Sequence, residues 1–111
     1  MIYKIFRTDE WAQLQAEGET TGAPIDVSDG YIHFSTAEQA AETAAKHFAG
    51  ETGLFLILVD ETTLGDDLKW EVSRGGALFP HLYRKMRLRD VVSAHEIGME
   101  NGAHVFPDGT I

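Results

Sequence analysis

The 111-residue chain contains no cysteine. That excludes disulfides, thiol nucleophiles, iron–sulfur clusters and the thiolate kind of structural zinc site. A reducing cytoplasm is the simplest compartment to expect. Long hydrophobic runs are also missing. The longest, Leu54 to Val59, suits one buried strand and is far short of the ~20 residues of a membrane-spanning helix. The N-terminus reads as a strand entering a helix, not as a signal peptide. Basic residues are scarce: nine Lys and Arg stand against eighteen Asp and Glu, a formal charge of −9. Such a field disfavours general nucleic-acid binding and gives little drive to self-associate, so a monomer is expected. Neither a dinucleotide-binding glycine fingerprint nor a Walker loop occurs. The five histidines lack metal-ligand spacing, so no metal site is expected. No nucleophile elbow or Ser-His-Asp order is present.

The chain is long enough for one small domain, and its 43% hydrophobic and 24% charged residues fit a globular fold. Met1 to Arg7 alternates as a strand. Thr8 can cap a helix that Asp9 and Glu10 begin and Gly18 ends. Residues 19–26 read as a loop, and Asp29-Gly30 as a turn. Tyr31 to Phe34 is a strand with Tyr31 and His33 on one face. Ser35 and Glu38 form a capping box for a helix over 36–49 with an alanine stripe. Gly53 to Asp60 is a central strand, Leu68 to Val72 another, Leu78 to Tyr83 a loop or short strand, and Val91 to Ile97 the last. Gly98 onward is polar and reads as a loosely held tail, so the domain is expected over 1–97 with a tail over 98–111. Helices early and strands late predict an α+β fold.

Three segments carry chemistry-bearing residues. Asp29 to Thr36 sets His33 on a strand and Ser35 and Thr36 at a helix start, where free N–H groups attract anions. The plainer reading is an N-cap and a satisfied strand histidine. Lys69 to Gly76 offers Glu71 as a carboxylate and Arg74 as a bidentate phosphate clamp, with Trp70 and Gly75 as further ligand-binding candidates. The plainer reading is a surface Arg74–Glu71 pair. Phe79 to Tyr83 aims His81 and Tyr83 to one side. They suit a pocket wall, or a core corner. Charge is concentrated here: residues 69–89 carry six cations against Glu71, a net +5, leaving −14 for the rest.

The run DGYIHFSTAEQ, the helix with TAAKHF, the LFLILVD strand and LKWEVSRGGALFPHLYRKM together resemble the domain of unknown function 952 family over about residues 1–97. Arg84 stands where a Gly is expected after HLY, which adds a charge to the rim. The resemblance implies an ADP-ribosyltransferase-like fold, a small split two-sheet core with NAD bound in the cleft between the sheets. Such enzymes break the nicotinamide glycosidic bond through an oxocarbenium-like transition state, using a strand His or Arg, a later Tyr, Ser or Thr, and a Glu. The first strand here offers Lys4 and Arg7, not a His. His33 in IHFS is similar to the histidine of the related RNA 2′-phosphotransferases, and Glu71 is the carboxylate to nominate. Under this reading His33, Glu71, His81 and Tyr83 are catalytic, and Ser35, Thr36, Trp70, Arg74 and Gly75 bind ligand. The substrate is NAD or an ADP-ribosyl or phosphorylated molecule, with NAD entering as ligand or substrate and no other cofactor indicated. The alternative is a non-catalytic binding module for a small anionic metabolite or a peptide.

Overall fold

A computed structural model describes residues 1–111. Twelve elements follow in order: β1 (Ile2–Arg7), α1 (Thr8–Glu17), β2 (Glu19–Thr20), α2 (Pro24–Asp29), β3 (Ile32–His33), α3 (Ala37–His47), β4 (Leu54–Val59), β5 (Leu68–Val72), β6 (Leu78–Leu82), β7 (Met86–Arg87), β8 (Val91–Glu100) and β9 (Ala103–Val105). The architecture is α+β, with all three helices before residue 48 and antiparallel sheets throughout. Two larger sheets run β1-β4-β8-β9 and β3-β6-β5, and β2 pairs with β7 as a third, two-stranded ribbon beyond the two sheets expected. No helix is long and apolar enough to cross a membrane.

The near-continuous apolar run of β4 has a simple cause: it is buried on both faces. Ile57 and Val59, with Ile2 and Phe6 of β1, face a core closed by Leu14, Ile32, Phe34 and Leu82. Leu54, Leu56 and Leu58, with Tyr3 and Ile5, face a second core closed by Ala40 and Ala44 of α3. Alanine at both positions lets the α3 backbone approach closely. Tyr3 and Ser35 exchange backbone hydrogen bonds, each 2.8 Å. That bridge joins the edge of the large sheet to the end of β3 and curls the two sheets around a cleft.

Several local expectations change. The N-cap of α1 is Arg7, whose N–H donates to Glu10, while Thr8 is the first helical residue and donates to Gly53 O. The expected loop over 19–26 holds β2 and the start of α2. Pro24 at the first helical position and Asp26, whose carboxylate accepts from Ala23 N–H at 2.7 Å, explain the helix. The capping box of α3 is Thr36 with Gln39, not Ser35 with Glu38. Leu78–Leu82 is a full strand despite Pro80. Pro80 accepts from Phe34 N–H but has no N–H to return, and β3 is correspondingly short. The segment from Gly98 is ordered, not loose. β8 continues to Glu100, β9 pairs back on it, and Phe106 packs on the second core.

Candidate functional site

The cleft is about 700 Å³ and lies between β1, α3 and the inner face of the β3-β6-β5 sheet. It is within the ~300–1,000 Å³ of small-molecule sites. Register places His33 opposite His81 and His81 opposite Lys69. Side chains alternate along a strand, so His33, His81, Phe79 and Glu71 share one face while Ile32 and Leu82 fill the core behind.

His81 is the most constrained of these residues. Its side chain is 3% exposed, its Nδ1 lies 2.8 Å from Glu71 Oε1, and Tyr31 stacks on its ring at 4.2 Å. The Glu71 carboxylate fixes the ring and leaves Nε2 without a protein partner. Tyr83 donates its hydroxyl to the same Oε1 at 2.6 Å. The hydrogen bond from Tyr83, and next that from His81, hold the Glu71 carboxyl below its ordinary value. In return the Glu71 carboxylate pushes the Tyr83 hydroxyl up to about 12. Spectrophotometric titration should therefore show one tyrosine ionising about two pH units above a free phenol of ~10. Glu71→Gln should lower it, and a wild-type protein with no tyrosine ionising near 12 would contradict the contact.

His33 sits differently. Its Nδ1 lies 2.6 Å from Asp26 Oδ1 and its Nε2 3.0 Å from Asp29 Oδ2. Asp26 is fully buried and also takes the Lys4 ammonium at 2.8 Å, His33 N–H at 3.0 Å and Ala23 N–H at 2.7 Å. Burial pushes the Asp26 carboxyl up, but the bond from His33 and the Lys4 charge outweigh it and hold the group below its ordinary value. Burial is the largest influence on Lys4 and pulls its ammonium down against the attraction of Asp26. The four donors around the Asp26 carboxylate, the Lys4 ammonium among them, keep the two groups as an ionised pair. Gly22, at φ +100°, passes so close to Asp26 that a side chain there would strike the carboxylate.

Arg74 closes the other wall. Its guanidinium lies 5.0 Å over the Phe79 ring and donates to Thr43 Oγ1 at 3.1 Å. Its Nε is 3.4 Å from Glu42 without hydrogen-bond geometry, which leaves a buried N–H unpaired. Burial, and then the Arg74 charge, hold the His47 imidazole below its ordinary value.

Of the residues nominated from the sequence, His33, Ser35, Arg74 and His81 line the cleft together. Glu71 and Tyr83 stand behind His81 and outside the lining. Thr36 caps α3, Gly75 turns at φ 69°, and Trp70 is on the opposite face of β5 from Glu71. Unforeseen contributors are Asp26, Asp29, Tyr31, Thr43, His47 and Phe79. A signal existed for two of them: Gln39, Thr43 and His47 recur every four residues on α3, a polar stripe beside the alanine one.

The family profile described as "Protein of unknown function (DUF952)" matches residues 5–94, and the chain belongs to that family. The crystal structure of protein CC0527 from Caulobacter crescentus is 46% identical, with a TM-score of 0.90 over 93% of this chain and 91% of that one. A crystal structure of a double mutant of CC0527 is 45% identical with a TM-score of 0.89 over 93% and 91%. The solution structure of the same protein is 46% identical with a TM-score of 0.83 over 93% and 89%. No curated protein matches the chain.

Proposed function

We propose that this member of the DUF952 family binds a small phosphorylated ligand of the nucleotide class in its cleft. His81 serves there as a proton donor or acceptor. The observation that carries the reading is the convergence of the Arg74 guanidinium, stacked on Phe79, and the Glu71-held His81 on one aromatic-walled cleft. Arg74 supplies a fork for a phosphate, Tyr31 and Phe79 supply walls for a planar ring, and Ser35 and Thr43 add hydroxyls. These residues fit NAD or an ADP-ribosyl substrate in their anion and ring contacts. The ADP-ribosyltransferase-like fold and the cytoplasmic site of action belong to the same proposal.

One observation favours a second reading, a non-catalytic binding module. Glu71 Oε1 is occupied by His81 and Tyr83, and the Glu71 carboxylate does not line the cleft where a cationic sugar would form. A thermal-shift panel with NAD, ADP-ribose, nicotinamide and nucleoside phosphates tests binding under either reading. Ligand at 100 times its Kd adds roughly 2.7 kcal/mol, on the order of 10 °C in a domain this size. The shift should appear with the phosphorylated ligands and be lost in Arg74→Ala. No shift with any of them would overturn the reading.

A further inference from the structure

β5 is the outer strand of the β3-β6-β5 sheet. Its ladder to β6 is bounded by Tyr83 N–H to Asp67 O at 2.8 Å and Ser73 N–H to Ala77 O at 2.9 Å. Lys69 and Glu71 fall between at the same parity, opposite His81 and Phe79. The even-numbered residues Leu68, Trp70 and Val72 therefore turn their N–H and C=O groups outward. Leu68 N–H is taken by Gly65 O. The C=O of Leu68 and both groups of Trp70 and Val72 have no partner within the fold. Beside this bare edge the apolar side chains are open: Trp70 is 45% exposed, Val72 70% and Leu78 52%. An edge this apolar and unprotected is a template for another strand.

The five residues Leu68-Lys69-Trp70-Glu71-Val72 are complementary to themselves when turned about Trp70. We propose that a second copy of this chain pairs its β5 antiparallel with this one, across a two-fold axis at Trp70. Trp70 then exchanges both backbone bonds with Trp70 of the other copy. Val72 N–H donates to Leu68 O across the seam, twice by symmetry. Lys69 lies opposite Glu71 at the closely spaced pairs, where Cα atoms are ~4.5 Å apart. Two ion pairs result, and Leu68 meets Val72 on the apolar face. Glu71 Oε2 has no partner in the single chain, because both His81 and Tyr83 use Oε1. The pairing would join the sheets of two copies through an isologous interface. The net charge of −9, which predicts a monomer, is blind to this strand, whose Lys and Glu cancel.

Sedimentation equilibrium up to about 200 μM chain, at ~0.15 M salt where long-range repulsion is screened beyond ~8 Å, reads the mass directly. The expected mass tends to twice 12.3 kDa. Lys69→Glu sets a second carboxylate against Glu71 across the seam, and Glu71→Lys sets a second ammonium against Lys69. Each variant alone should weaken the dimer by about tenfold or more. An equal mixture should recover it as a heterodimer, because every cross-seam pair is then opposite in sign. Val72→Pro removes only the outward N–H, leaves the β6 ladder whole, and should also give a monomer. The proposal is overturned if the wild type stays at 12.3 kDa throughout. A dimer indifferent to Val72→Pro and to both charge reversals would place the interface elsewhere and overturn it equally.

Discussion

Asp26→Ala is expected to lower the stability of the fold by about 3–5 kcal/mol, a fall in Tm on the order of 15–25 °C. The size follows from what Asp26 holds. Its carboxylate is fully buried and accepts from Lys4, from the His33 ring and backbone, and from Ala23. Removing it leaves the Lys4 ammonium, itself 7% exposed, without its counter-charge, and strands two backbone N–H groups. Asp26→Asn keeps an acceptor but loses the charge, so an intermediate loss is expected. The pH dependence has a definite sign. The folded carboxyl lies below its unfolded value of ~3.9, so its contribution is present above that value and is lost as pH falls through the folded one. Urea unfolding of wild type should weaken below about pH 4, and Asp26→Asn should be flatter across that range. A loss under ~1 kcal/mol for Asp26→Ala, no more than an ordinary hydrogen bond, would contradict the assignment of this network as a structural centre.

The second large effect is on chemistry. Should NAD be turned over, His81→Ala is expected to lower kcat for nicotinamide release by about 10²–10⁴, the usual contribution of a positioned acid or base. Glu71→Gln should lower kcat also, because it removes the carboxylate that fixes the ring, and it should leave KM nearly unchanged. Arg74→Ala should do the reverse, raising KM by roughly 10- to 100-fold through one lost charge-assisted contact of ~1.5–3 kcal/mol. The split separates a positioning role for Glu71 from a merely structural one, which would lower both variants' folded fraction without dividing kcat from KM. Turnover in His81→Ala equal to wild type would remove His81 from the chemistry. Wild type that binds but releases no nicotinamide would establish the binding-module reading.

How much of this was legible in the sequence depends on distance along the chain. β1, α1, α3, β4, β5 and β8 follow from local periodicity and apolar density, and they stand within a few residues of expectation. α2 was not legible as a helix because six residues bearing Pro, Ser and two Asp carry no apolar stripe. Only the positions of Pro24 and Asp26 mark it. β6 was obscured by Pro80, whose missing N–H is tolerated because β3 ends beside it. The hairpin after Gly98 is held by pairing and by Phe106 reaching the second core, neither of which composition records. In the site, the proximity of His33 and His81 depends on a strand pairing across 48 residues. The motifs name both residues, but nothing local brings them to one face. Glu71 was legible as a special carboxylate, but not its direction. It turns to His81 and Tyr83, because strand alternation puts all three on one side of neighbouring strands.

Anion binding in the cleft by Arg74 and His81 can be read by nuclear magnetic resonance of the side-chain nitrogens during titration with ADP-ribose. The prediction is a saturable shift of Arg74 Nε and of the His81 ring nitrogens. Arg84, Arg87 and Arg89, which border a separate surface depression of about 550 Å³, should stay still. Shifts confined to those three arginines, or no saturable shift at Arg74, would contradict it.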